Sequence, residues 1–147
     1  MKHSLLVPAV VITCMAAVGC QQQAPDTGYA YANEGRPYAN ELLRAVSREW
    51  KADWLVKMAD PRMLAVAPES KIHEMMDAVA NAYGPARRQE MLAMNVGVET
   101  DIAGTTATYL FRLDCEKKAA RVVIKMQKSE GHWKALGFRV EPMPSAK

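Results

Sequence analysis

Three sets of residues have the types and spacing that acid–base or metal chemistry requires. Glu69, His73 and Asp77 recur every four positions, which on a helix sets an imidazole between two carboxylates on one face. Such a set can orient a histidine or supply part of a metal shell. No His-Glu-x-x-His pattern accompanies it and no second ligand source is visible, so it reads as a solvated polar face opposite Ile72, Met76 and Val79, and no metal is assigned. His132 follows Gly131 in a predicted turn; a general base there needs an overhanging pocket, whereas an exposed turn histidine needs nothing. Asp101 and Asp114 fall at strand ends. Catalysis by either needs an apolar cavity that raises the carboxyl pKa, and alternation groups Asp114 with Arg112 and Thr108, away from Phe111 and Leu113. No catalytic residue is assigned and no cofactor is implied.

The remaining chemistry-bearing residues read as packing or solvation. Cys115 shares a strand face with Phe111 and Leu113 and is expected to be a buried, inert thiol. Trp50 and Trp54 lie one helical turn apart and are expected to face a core, as is Trp133. The methionines are scattered, which suits gap-filling better than copper binding. Arg87-Arg88, Lys117, Lys118, Arg121, Lys125 and Lys128 give basic stretches, with Arg121, Lys125 and Gln127 on one side of a strand. The net charge is only +3 over 147 residues, and aromatic interleaving is missing, so nucleic acid is not expected as a partner.

These residues must be positioned by a small set of elements. Tyr38, Leu42, Val46, Trp50, Trp54 and Met58 recur every four positions, widened by Leu43 and Leu55. This predicts one amphipathic helix from Pro37 to the Asp60-Pro61 stop. Residues 61–68 connect to a second helix over Glu69–Tyr83, which Gly84-Pro85 ends. Beyond it the period changes to two. Strands are expected at 92–102, 105–115, 121–128 and 133–140, separated by turn signals at Ala103-Gly104, Glu116-Lys117-Lys118 and Glu130-Gly131-His132. Two helices on a four-stranded antiparallel meander make an α+β domain over 37–147.

The first twenty residues read as an address. Met1-Lys2-His3 is a short positive start, and Ser4 to Gly19 carries no charge. At about 1.5 Å per residue that stretch spans roughly 24 Å, short of the ~30 Å hydrocarbon core, so residues 1–19 suit a signal peptide. Ala17-Val18-Gly19-Cys20 resembles the bacterial lipobox, with Ala17 where Leu is most frequent. The resemblance implies cleavage before Cys20, acylation of its thiol with palmitate-type chains, and a lipoprotein held in the envelope membrane. Gln21, where Asp would resemble an inner-membrane retention signal, implies the periplasmic face of the outer membrane in a Gram-negative host. Lys2 leaves with the leader, so the mature charge falls to +2 and Cys115 becomes the last thiol other than Cys20. Residues 20–36, with Gln21-Gln22-Gln23, Pro25, Gly28 and Gly35-Arg36-Pro37, show no period and read as a flexible tether. Tyr29 and Tyr31 are its only candidates for docking.

The order of helices and strands resembles the cystatin-like and nuclear transport factor two-like cone, in which a bent sheet wraps a long first helix. Glu130-Gly131-His132-Trp133-Lys134-Ala135-Leu136-Gly137-Phe138 is similar to a closing hairpin of small bacterial members, and Tyr83-Gly84-Pro85 adds to the likeness over residues 38–142. Such folds host isomerases, carriers, inhibitors and interaction modules, so the fold alone assigns no activity. This chain is also shorter than cone-fold enzymes, which commonly have a third helix lining the pocket. The expectation is therefore a non-catalytic binding domain for an envelope protein partner or a small apolar ligand, the latter lined by Trp50, Trp54, Phe111 and Phe138. A cone-fold isomerase or hydrolase and an inhibitor or immunity protein against a secreted toxin are the alternatives.

Overall fold

The computed structural model describes residues 27–98 and 104–144. The leader, Cys20 and Asp101 lie outside them. The element order is α1 (Thr27–Ser47), α2 (Ala52–Met58), α3 (Pro61–Val66), α4 (Glu69–Tyr83), β1 (Ala86–Val98), β2 (Thr105–Cys115), β3 (Ala119–Ser129) and β4 (His132–Pro142). The strands form one antiparallel sheet in the order β1-β2-β3-β4, the meander that the tight turns predict. Ser129 pairs with His132 around Glu130 and Gly131, both at positive φ (51° and 79°), as a two-residue hairpin that follows the sheet twist requires.

Burial follows the period of two. Ala107, Tyr109, Phe111 and Leu113 of β2 and Val122, Ile124 and Met126 of β3 are fully buried on the inner face. The helices cover them with Leu42, Leu43 and Val46 of α1, Leu55 of α2, Met63 of α3 and Ile72 and Met76 of α4. Met63, Met76 and Met126 are buried, and Met58, Met75, Met91 and Met94 pack against them, the gap-filling role read from their scatter.

The long first helix differs from expectation at both ends. It starts at Thr27, ten residues before Pro37, so 27–36 is helix rather than tether. Ala32 is buried, and Tyr31 bonds to the sheet. Pro37 sits inside the helix on its exposed side, where water can serve the carbonyl that its missing N–H leaves unpaired. The helix then ends at Ser47 instead of running to Met58, because Trp50 adopts a left-handed backbone (φ 52°) and α2 starts anew at Ala52. That break rotates Trp54 outward to 46% exposure, and Tyr38 is 44% exposed.

The stretch read as a connection, 61–68, contains α3. Asp60 is its N-cap and Pro61 its first residue, so Asp60-Pro61 is a favoured helix start as well as the expected stop. β1 begins at Ala86 rather than near 92. Its first residues, Arg87 to Glu90, are charged or amide-bearing, as suits a sheet edge that must not pair further.

Candidate functional site

Between the first helix and the sheet, where the sequence suggests a ligand, side chains pack along α1, and a surface hollow of about 340 Å³ bordered by Tyr38, Leu42, Trp54, Met58 and Trp133 stays open beside them. Tyr31, Gly35 and Tyr38 lie along one face of α1, and the Trp133 indole from β4 rests on them. Its ring centroid is 4.7 Å from that of Tyr31 and 6.3 Å from that of Tyr38. Gly35 is the notch that admits it, since a Cβ there would lie 2.7 Å from two Trp133 ring carbons and would also strike the Tyr109 hydroxyl. That hydroxyl donates to the Ala32 carbonyl oxygen at 2.7 Å, and burial holds the Tyr109 phenol far above its ordinary pKa. Tyr109 therefore stays neutral at any physiological pH.

The four residues expected to line a ligand pocket are not gathered around one. Trp50 is buried at 3% exposure, its indole N–H donating to the Gly84 carbonyl at 2.6 Å. Phe111 is fully buried in the core. Phe138 is nearly buried and borders a depression with Thr108, Val123 and Leu136. Trp54 stands at the surface with Lys57 over its ring, 5.1 Å from the centroid. The helix break at Trp50 separates the two tryptophans that a continuous helix would have stacked on one face.

The titratable candidates are solvent-facing. His73 lies 3.7 Å from Glu69 and 3.9 Å from Asp53 with its side chain 47% exposed, and Asp77 is exposed. Asp114 pairs with Arg112 at 2.9 Å, and His132 is exposed in the final hairpin. The Cys115 thiol is half-buried, and burial pushes its pKa up to about 11, opposite to the shift that makes a cysteine reactive. Among the described residues no cluster of His, Cys, Asp or Glu is arranged to hold a metal ion, and no helix is long and apolar enough to cross a membrane.

A wide open depression, about 910 Å³, lies instead at the rim of the cone. It is bordered by Tyr31, Asp60, Arg62, Gln127, Lys128, His132 and Lys134. Its floor is a continuous hydrogen-bonded chain. Asp60, only 4% exposed, accepts through Oδ1 from the Arg62 backbone N–H (2.9 Å) and Nε (2.8 Å), and through Oδ2 from Nη2 (2.9 Å). Arg62 Nη2 also donates to Gln127 Oε1 at 2.6 Å, and Gln127 Nε2 donates to the Thr105 carbonyl at 3.3 Å. The same carbonyl accepts from the Tyr31 hydroxyl at 2.9 Å, which in turn accepts from the Lys128 N–H at 2.8 Å. Lys128 closes the chain on Glu34. Asp60 is held against the sheet because its own N–H donates to the Ala135 carbonyl at 2.7 Å, where residue 59 bridges β4. Gln127, which alternation would turn outward with Arg121 and Lys125, is 5% exposed and belongs to this chain.

The sequence reading missed this assembly. Asp60 and Arg62 were within reach through the Asp-Pro helix-start signature. Tyr31 was hidden in a segment rich in helix breakers, and Gln127 carries no local signal at all.

Chemically, the chain matches each carboxylate with a cation. The hydrogen bonds from Arg62 hold the Asp60 carboxyl below its ordinary range, more than offsetting the opposite effect of burial. A carboxylate so engaged is a poor proton acceptor and serves as a brace between α3 and the sheet. Its folded pKa is depressed, so its contribution to stability is complete above the unfolded value near 3.8 and fades as pH falls through the folded one. Asp60→Asn is expected to cost about 2–3 kcal/mol at pH 7, from the lost helix cap and charge-assisted bonds. Urea midpoints should show the gap between wild type and variant shrinking at pH 3; a gap of equal size at both pH values would contradict the brace.

No family model and no curated protein matches the sequence. Among solved structures, the crystal structure of an NTF2-like protein of unknown function from Shewanella baltica superposes with a TM-score of 0.53 at 15% sequence identity, over 82% of this chain and all of that one. The fold is NTF2-like. The bent sheet with the long helix laid across it is the cone that the order of elements suggested. At this identity the NTF2-like likeness carries the fold and no activity.

Proposed function

We propose that this protein is a non-catalytic NTF2-like binding module of the bacterial cell envelope, carried on a lipid at Cys20 and meeting its partner at the cone surface. The observation that supports this best is the filled interior. Trp133 seated on Gly35, with Tyr109 beneath it, occupies the place where a cone-fold enzyme would need a cavity with a desolvated acid or base. The apolar-ligand alternative weakens on the same ground, which favours an envelope protein contacting the polar rim. There Lys134, His132 and Ser129 border the depression beside the braced Asp60–Arg62 pair. In a Gram-negative host Gln21 favours the outer membrane.

The test joins address and contact. The full chain is expressed in a Gram-negative host with an alkyne fatty acid, and a photo-crosslinking residue replaces either Lys134 at the rim or Lys71 on α4. The expected result is label on the wild type, none on Cys20→Ser, and one discrete crosslinked envelope protein from position 134 but not 71. Label persisting on Cys20→Ser would refute the lipid assignment, and identical crosslinks from both positions would refute the rim.

A further inference from the structure

A second hollow, about 250 Å³, lies at the other end of α1, between its last turn and the start of β1. We propose that it binds a phosphate-bearing anion through Arg44, Arg48, Arg87 and Arg88. This goes beyond the rim contact and stands whether or not Cys20 is acylated.

Two features of the backbone bring the four arginines to the border of one hollow. Arg44 lies in the last turn of α1 and Arg48 directly follows its end, and both border the hollow with Ser47, 3% exposed, between them. On β1 the register slips between Ala86 and Arg88, leaving Arg87 as the extra residue. A regular strand would send consecutive side chains to opposite faces, whereas this bulge lets both arginines border one hollow. The two walls are tied together, because Gln89 Nε2 donates to the backbone carbonyl of Asn40 (3.3 Å) and to its Oδ1 (3.2 Å).

The charge is under-compensated. Arg87 reaches Glu116 only at 3.9 Å, and Arg88 reaches Glu90 only at 3.7 Å, all four side chains being more than half exposed. Arg48 feels Glu49, but the Glu49 carboxylate is taken by Lys51. The helix macrodipole accounts for cations in the last turn of α1; it does not account for the arginine pair that β1 brings against them. Four cations gathered against carboxylates that are held only loosely or shared with Lys51 favour an anion.

The class of anion follows from geometry. Each guanidinium offers a planar fork to two oxygens, and four forks exceed what the two oxygens of one carboxylate can accept. A phosphate group offers more acceptors and up to two charges. The hollow is smaller than the ~300–1,000 Å³ usual for drug-sized ligands, which suits a phosphate or diphosphate group. Inorganic phosphates and phospholipid headgroups share this chemistry.

Isothermal titration of the full chain in a neutral detergent tests the site with two probes, inorganic pyrophosphate and dihexanoyl-phosphatidylglycerol below its micelle concentration. Saturable binding of either probe is expected, weakened at least tenfold by Arg44→Gln with Arg87→Gln. The control Lys71→Gln with Arg139→Gln removes the same charge elsewhere and should leave binding within twofold. Tighter pyrophosphate binding assigns a soluble phosphate, and tighter lipid binding assigns a headgroup. Circular dichroism confirms that each variant is folded, which these exposed positions permit. Binding of neither probe, or equal weakening by the control pair, would overturn the proposal.

Discussion

Replacing Gly35 by alanine is expected to lower stability by about 2–3 kcal/mol, although alanine is the better helix former. In an exposed helix interior the change would gain about 1 kcal/mol. Here the added methyl would sit 2.7 Å from two ring carbons of Trp133 and against the Tyr109 hydroxyl. Neither neighbour can yield cheaply. The indole is flanked by Tyr31 and Tyr38, and the hydroxyl is fixed by its bond to Ala32. Overpacking of this kind costs about 1–3 kcal/mol, occasionally more, which outweighs the gain in propensity. A melting temperature lower by roughly 10 °C and a changed near-ultraviolet dichroism of Trp133 are the readouts. Gly28 on the same helix is the internal control. A Cβ there meets Val96 at 3.6 Å, an ordinary contact, so Gly28→Ala should be neutral or slightly stabilising. If both variants lose stability equally, Gly35 is not a packing notch and the closed interior loses its main support.

How far the sequence could be read depended on whether each feature had a local cause. α4 was legible to the residue, because Gly84 and Pro85 end it and its apolar set keeps the helical period. β2 was equally legible, since strict alternation separates buried Tyr109 and Phe111 from half-buried Thr108 and Leu110. The start of α1 was not, because Gly28, Gly35 and Pro37 count locally as breakers. Only the Trp133 ring and the Tyr109 hydroxyl, far along the chain, explain why a glycine belongs at 35. The rim chain was illegible for the same reason: Asp60, Gln127 and Tyr31 meet only after the sheet has formed. The Arg87-Arg88 pair was visible as a basic stretch, but the bulge that sets both side chains beside Arg44 and Arg48 was not.

Trp50 presents the reverse conflict, a large residue in a conformation that favours glycine, and its replacement should have the greatest effect in the molecule. Its φ of 52° ends the first helix where neither glycine nor proline marks an end, at a cost of roughly 1–2 kcal/mol for an L-residue. Burial to 3% exposure and the bond from its indole to the Gly84 carbonyl offset that cost, and fasten the α1–α2 corner to the end of α4. Trp50→Ala should therefore destabilise by about 4 kcal/mol, within the range for deleting a buried tryptophan. Trp50→Phe keeps most of the apolar contact but leaves the Gly84 carbonyl without its donor, at about 1–2 kcal/mol. The decisive comparison is Trp50→Gly. In a continuous helix glycine would be about 1 kcal/mol worse than alanine; at this positive φ it should be the more stable of the two. Urea denaturation of the three variants checks the order Phe, then Gly, then Ala. Alanine more stable than glycine would mean that the helix runs through residue 50, returning Trp54 to the face from which the break has turned it.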